Sequence, residues 1–287
     1  MASLKEVKGR IASVNSTRKI TSAMKMVASA KLHKAQAAIE SMLPYERRLH
    51  HILTDFMSNC TEVTSPFIVK REVKKVAVVV FASNTSLCGG FNANVIRHLV
   101  DLLAEYKPLG LENILVFPVG KKVADAVRKM GFRIEGDFQH MADKPSYQEA
   151  ADLAADLMKR FLHGDVDKVE LLYNHFKSTA SQILTRETYL PIDLNNEKKE
   201  EERTIDYILE PSAEELMQEM LPKVLRMKMF TVLLDSNAAE HAARTMAMQI
   251  ATDNANELLQ ELTVMYNKSR QQSITNELLD IVGGSMA

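Results

Sequence analysis

The 287 residues are 46% hydrophobic and 25% charged, the balance of a folded globular chain rather than a disordered or fibrous one, and at roughly 150 residues per unit they suggest about two folding units. The 36 basic side chains against 37 acidic ones leave a formal charge of -1, so no whole-molecule field draws nucleic acid or lipid. The longest apolar run, Val76 to Ala82, is far shorter than the roughly 18 residues of a spanning helix, which excludes an integral helical membrane protein. Lys5, Lys8 and Arg10 are followed by no apolar core, so neither a signal peptide nor an organellar presequence is expected. Cys60 and Cys88 form no CxxC pair and no disulfide framework, which fits a reducing compartment.

From Ser3 to Asn59 the chain has one glycine and one proline. Its apolar residues Leu4, Val7, Ile11 and Val14 step by three and four, the seam of a coiled coil. Arg18 then stands where an apolar residue belongs, and the apolar positions resume out of phase at Ile20, Met24 and Val27, the drift expected of a nearly straight helix against a heptad repeat. Pro44 is expected to kink or divide the arm. Ten basic residues against three acidic ones between Lys5 and Arg48 make the arm basic. No aromatic side chain within the first 44 residues is available to stack on bases, so nucleic acid is not the expected partner.

After the turn cluster Thr64-Ser65-Pro66, strands and helices alternate. Strands are predicted at Lys75–Ala82, Asn113–Val119 and Lys168–His175, and helices at Phe91–Tyr106, Lys121–Met130 and Ser146–Leu162. That order calls for a mainly parallel, Rossmann-like sheet with right-handed crossovers. Two further edge strands, Gln182–Pro191 and Thr204–Leu209, flank the solvated run Asn195–Arg203. From Ser212 the chain is helical again, with a break allowed at Pro222 and no glycine or proline from Asn237 to Val282. Ala239, Ala243, Met246, Ile250, Leu258, Leu262 and Met265 are its predicted seam, and the small residues Ala28, Ala30, Ala239 and Ala243 permit close approach of the two arms. The expected architecture is therefore α/β: residues 1–60 form one coiled-coil helix, 66–210 a central α/β domain, and 212–287 a helix pairing antiparallel with the first. The acidic balance of the second arm complements the basic first arm.

The junction Ala82–Asn92 is the most enzyme-like stretch, because amides after a first strand can cradle an anion at a helix N-terminus. Gly89-Gly90 nevertheless makes neither GxGxxG nor a Walker loop, and a tight structural turn is the expected role. Cys88 reads as a buried thiol, and the adjacent His50-His51 pair lacks the spacing of helical metal ligands. On these features alone the chain is a helical interaction protein with an α/β middle. A small-molecule-binding protein dimerised through its coiled coil is the alternative that the glycine turn favours.

Two segments at opposite ends carry a resemblance. Ile11–Val14 together with Thr17–Ala28 resembles the first helix of the gamma subunit of bacterial-type F-type ATP synthases, and Ala242–Ala255 and Tyr266–Gly284 resemble its last helix. Leu87–Asn92 (LCGGFN) matches in the middle, while Asn84-Thr85-Ser86 departs from the family's common Asp-Arg-Gly. The resemblance implies a non-catalytic central rotor stalk on the cytoplasmic face of the bacterial inner membrane, peripheral and without direct membrane insertion. The stalk couples movement of the membrane c-ring to conformational change at the beta subunits. Implied partners are the alpha and beta subunits, the epsilon subunit and the c-ring, with no cofactor, metal or nucleic acid. Implied contacts to the beta subunits are Met24, Lys25, Arg244, Arg270, Gln271, Thr275 and Glu277, with Gly89 and Gly90 left to the turn.

Overall fold

The computed structural model describes residues 3–59, 65–192 and 212–285. Helix α1 (Leu4–Asn59) is followed by strand β1 (Val76–Phe81), helix α2 (Phe91–Tyr106), strand β2 (Ile114–Val119), helix α3 (Lys121–Met130) and the short strand β3 (Arg133–Ile134). Helices α4 (Gln139–Asp143) and α5 (Tyr147–His163), strands β4 (Lys168–Ser178) and β5 (Ser181–Leu190) and helix α6 (Ala213–Ser285) complete the chain. The predicted strand Thr204–Leu209, the charged run Asn195–Arg203 and Cys60 lie outside the described residues. The two shortest elements, β3 and α4, were not expected, since two and five residues carry no measurable periodicity.

The sheet runs β3-β2-β1-β4-β5. The first four strands are parallel and β5 returns antiparallel on β4. The β-branched run VAVVVF of β1 is buried along its whole length, as a central parallel strand covered on both faces must be. Its side chains alternate between two cores. Val76, Val78 and Val80 face Val95, Leu99 and Leu103 of α2 and Val123 and Val127 of α3. Ala77, Val79 and Phe81 face Leu157 and Phe161 of α5 and Leu221, Leu225, Met229 and Leu233 of α6. The first third of α6 thus supplies one layer of the α/β core, although the expected domain ended at residue 210.

Helix α6 is 73 residues long and α1 is 56, roughly 110 and 84 Å at 1.5 Å per residue. Neither proline divides its helix. Pro44 sits at an exposed position of α1, between Met42 and Leu49, which pack on the core. Pro222 is followed by the buried Leu225 and preceded by the buried Leu221. Packing on both sides holds the helical path against the roughly 3 kcal/mol that an interior proline costs.

The seam also differs from expectation. In α1 the residues Leu4, Val7, Ile11, Val14, Arg18, Thr21, Lys25, Ala28, Leu32, Ala35, Ile39 and Met42 are all buried or half-buried, an unbroken alternation of three and four. Ile20 and Val27, assigned to a shifted seam, are 60% and 59% exposed. The heptad never slips; polar side chains occupy it. In α6 the covered row is Ala238, Ala242, Thr245, Met248, Thr252, Ala255, Leu259, Leu262 and Tyr266. Of the expected row, Leu262 is buried in place, but Met246, Ile250, Leu258 and Met265 are exposed. Ala239 and Ala243 turn toward Cys88 and Phe91 of the α/β domain instead of toward α1, and Ala30 is exposed. The approach between the arms is made by Ala238 and Ala242 against Leu32 and Ala35.

Candidate functional surface: the shaft, its tip and its joint to the domain

In an open parallel sheet the crevice beyond the strand ends, where the winding reverses, is the usual ligand site. Here the winding reverses between β1 and β4, and α6 crosses the strand ends, Asp235 accepting from the Phe176 amide of β4 at 2.8 Å and the next turn of α6 seated over the ends of β1 and β2. Phe81, Ala82, Val119 and Ala142 meet Leu233, Ser236, Asn237 and Glu240, leaving a cavity of about 10 Å³, enough for one water molecule. Asn237 donates to the Ala142 carbonyl at 2.8 Å and fixes the helix there. No nucleotide fits in that space.

The turn after β1 closes on itself. Ser83 Oγ donates to the Thr85 carbonyl at 2.6 Å, and the Ser83 amide donates to Asn92 Oδ1 at 3.1 Å. Asn92 Nδ2 lies 3.2 Å from the Sγ of Cys88, which is 2% exposed. Leu87 and Gly89 have φ of 66° and 60°, so the turn needs two left-handed residues and only one is a glycine. A Cβ on Gly89 would reach the Ala247 Cβ at 3.8 Å, which puts the glycine against α6. Gly90 begins α2 without a side-chain cap. Turn geometry and packing on α6 account for Gly89, whereas Gly90 has an ordinary φ of -80° and a Cβ there would meet only the Asn94 side chain.

Arg244 is placed where the turn and the shaft meet, and at 9% exposure it faces inward. One guanidinium nitrogen pairs with Glu240 Oε1 at 2.5 Å and the other donates to Thr85 Oγ1 at 2.8 Å. Burial raises the Glu240 carboxyl above its usual range, partly offset by Arg244. The adjacent His241 is held well below its usual value, at about 4, first by burial and then by the cations Arg244 and Lys31. Its Nδ1 is buried without a hydrogen-bond partner.

The other contact candidates are separated along the shaft. Met24 and Lys25 are half-buried midway along α1, with Lys25 in the seam row. Arg270, Gln271, Thr275 and Glu277 are exposed on α6. Thr21 faces Thr252, and Arg18 donates to Asn256 Oδ1, so in this antiparallel register Leu4 stands opposite residue 269 or so. Beyond that point α6 continues as a single helix for about ten ångströms per two turns, with Ile274, Leu278, Leu279 and Ile281 each 46% exposed or more. The polar seam pairs and the Arg244 joint were missed in the sequence. The signals were present: Glu240 and Arg244 stand four apart on a helix, and counting the heptad onward from Val14 lands on Arg18 and Thr21.

A two-helix shaft built into an α/β domain, with α6 seated across the ends of the sheet's strands, is the frame of a mechanical or scaffolding subunit. A family model described as ATP synthase matches residues 3–287. The ATP synthase gamma chain of Phocaeicola vulgatus is 81% identical, with both chains covered in full, and that of Bacteroides fragilis is 64% identical, again over 100% of each. The chain belongs to the ATP synthase gamma-chain family, the non-catalytic central-stalk subunits of F-type ATP synthases. Among solved structures, the Euglena gracilis mitochondrial ATP synthase (OSCP/F1/c-ring, rotational state 3) contains a chain with a TM-score of 0.62 at 19% identity, covering 99% of this chain and 93% of that one. A chain of the central stalk and c-ring of the Tetrahymena thermophila mitochondrial enzyme aligns at a TM-score of 0.55 and 21% identity, over 81% and 99%. Both support the fold. Among the described residues, no helix is long and apolar enough to cross a membrane.

Proposed function

We propose that this chain turns as the shaft of a proton-translocating ATP synthase, with the α/β domain at the driven end and the single-helix tip of α6 at the working end. The observation that carries this reading is the continuity of α6, which packs on the sheet through Leu221 to Leu233 and then extends unbroken to the exposed tip. One hydrogen-bonded helix therefore joins both ends, and α1 stiffens it along the middle. The tip would lie within the hexamer of alpha and beta subunits, with Arg270, Gln271, Thr275 and Glu277, and Met24 and Lys25 on the shaft, meeting the beta subunits. The α/β domain would meet the epsilon subunit and the c-ring. Three similar beta subunits take different conformations only if the shaft offers each a different contact energy, and a helix with Arg270, Ile274, Glu277 and Ile281 along one face and Leu279 on the opposite one is suited to that. The complex would sit at the cytoplasmic face of the bacterial inner membrane, this subunit peripheral, with no nucleic acid and no cofactor of its own.

The small-molecule reading loses support on two counts. Its crevice is occupied by α6, and its dimerising seam is already covered within one chain. The deciding experiment mixes the purified chain with alpha and beta subunits, isolates the complex by size and measures ATP hydrolysis. One copy per complex and sustained turnover that depends on the chain are expected. A stable dimer that ignores both subunits would overturn the proposal.

A further inference from the structure

We infer that Arg244 is a positioning residue that locks the shaft to the turn after β1, so that the α/β domain and the coiled coil rotate as one body, rather than a contact to the beta subunits. The inference rests on the central-stalk reading. It begins from where the side chain points: Arg244 is 9% exposed and both ends of its guanidinium are engaged within the chain, by Glu240 at 2.5 Å and by the Thr85 hydroxyl at 2.8 Å. A guanidinium so placed has little left to offer a partner subunit.

Thr85 is a useful anchor only if its turn is itself fixed, and it is. Asn84 Nδ2 donates to the Gln139 carbonyl at 2.8 Å and to Asp143 Oδ2 at 2.7 Å, which ties the turn to α4. Asn84 Oδ1 accepts from the Lys121 amide at 2.8 Å, which ties it to the start of α3. Ser83 and Asn92 tie it to α2. A single side chain of α6 therefore reaches a hub that holds three other helices.

The location matters as much as the bonds. Arg244 stands just past the point where Ala238 and Ala242 leave the domain and meet Leu32 and Ala35 of α1. The neighbouring contact, Ala239 against Cys88 and Phe91, is wholly apolar. Apolar contact holds surfaces together without direction, whereas hydrogen bonds weaken steeply as their angles change. Glu240 lies on α6 itself and orients the guanidinium, so the bond to Thr85 is the one that crosses from the shaft to the turn; together with the Asn237 bond to the Ala142 carbonyl it resists the twisting of α6 within its crevice in a way apolar contact does not. A buried ion pair is a poor source of stability, and fixing one arrangement among several is its better-attested use.

The test uses the assembled complex and the full chain. Thr85→Val removes only the hydroxyl, and Thr85→Ser restores it. Assembly and unloaded ATP hydrolysis are expected to be unchanged in Thr85→Val, while ATP-driven proton pumping per ATP falls several-fold and Thr85→Ser recovers it. In the full chain, spin labels on the α/β domain and on the shaft should show a broader distance distribution in Thr85→Val, with Arg244→Gln producing the same broadening and the double variant no more. Wild-type pumping and an unchanged distance distribution in Thr85→Val would overturn the inference. So would a loss of pumping in Arg244→Gln that adds fully to that of Thr85→Val, as a contact with a beta subunit would produce. Failure of the unmodified chain to assemble at all would instead overturn the stalk reading, and the label distances would still decide whether the joint exists.

Discussion

The hydroxyls of Thr21 and Thr252 meet at 2.9 Å across the seam of the two arms, and one turn away Arg18 donates to Asn256 Oδ1 at 3.3 Å. Asn15 holds the other side of the Arg18 guanidinium at 3.0 Å. A coiled coil whose seam were wholly apolar could slide by a heptad at little cost, whereas a polar layer matches in one register only. Each threonine can also donate to a carbonyl of its own helix, Arg18 for Thr21 and Met248 for Thr252. Two protons serve three contacts, so the pair shares one bond that neither residue makes alone.

That sharing predicts a non-additive pair. Thr21→Val or Thr252→Val alone should cost about 1 kcal/mol, because the remaining hydroxyl keeps its burial and loses its partner, while the double variant should cost less than the sum of the singles. Urea unfolding of the full chain measures the three values. Strict additivity would mean that the two hydroxyls do not interact.

The phase of the seam gives a second prediction. Ile20 is 60% exposed and Leu32 is 6% exposed. Ile20→Asp should change the stability of the isolated chain by roughly 0.5 kcal/mol or less, and Leu32→Ala should cost about 2 to 4 kcal/mol. Equal costs would place Ile20 in the seam after all. An effect of Ile20→Asp confined to the assembled complex would mark that side chain as part of a subunit interface.

How far the fold was legible follows from the length of the signals. The helices Phe91–Tyr106 and Lys121–Met130 are legible to the residue because Gly90 and Pro108 bound the first, Gly120 and Gly131 the second, and their apolar rows repeat. The strands were placed within one or two residues at most ends, because β-branched runs buried on both faces are unbroken in apolar character. The seam was misjudged at Arg18 and Thr21 because hydrophobicity was taken to define it, whereas geometry does, and a polar pair that satisfies itself is allowed there. In α6 the alanines misled for a second reason: the helix is covered on two sides, by α1 and by the α/β domain, and Ala238 and Ala239 are equally buried against different neighbours. No pattern of a single helix can assign those faces. The Arg244 joint was hidden for the same reason, since Thr85 lies 159 positions away.

Backbone geometry gives a third prediction. Gly120 opens α3 at φ +113°, and a Cβ there would stand 2.1 Å from the Ala82 carbonyl oxygen, a backbone atom that cannot turn aside. Gly120→Ala should therefore cost more than about 3 kcal/mol, through forbidden φ and collision together. Gly9, inside α1 with nothing within 4 Å of its would-be Cβ, is the contrast: Gly9→Ala should stabilise by about 0.5 to 1 kcal/mol. Thermal unfolding of the two variants should move in opposite directions.

His241 supplies a pH dependence. It is buried, and burial first, then the cations Arg244 and Lys31, with Asp143 opposing, hold its pKa at about 4 against the usual 6.5. The unfolded chain therefore binds a proton there between pH 6.5 and 4 that the folded chain does not. The corresponding stability is fully present above pH 6.5 and is lost as pH falls toward 4, with a total on the order of 3 kcal/mol. The difference in unfolding free energy between the unmodified chain and His241→Gln should shrink over that interval and level off below it. A difference that stays constant from pH 7 to pH 4 would mean that His241 titrates alike in both states.

The tip separates stability from function. Leu278, Leu279 and Ile281 are 58%, 63% and 68% exposed, so they contribute little to folding, and a chain that kept them for its own stability would have buried them. Exposed apolar groups concentrated at one end of a helix fit a surface that another protein covers. Replacing all three by serine should leave the urea midpoint of the isolated chain within error, because none of them loses a packed neighbour. The same variant should assemble with alpha and beta subunits less tightly, or turn over more slowly once assembled, as measured by size-resolved complex yield and by ATP hydrolysis. Unchanged yield and rate would show that the apolar tip is not where the shaft bears on its partners, and would move that role down the shaft to Met24 and Lys25.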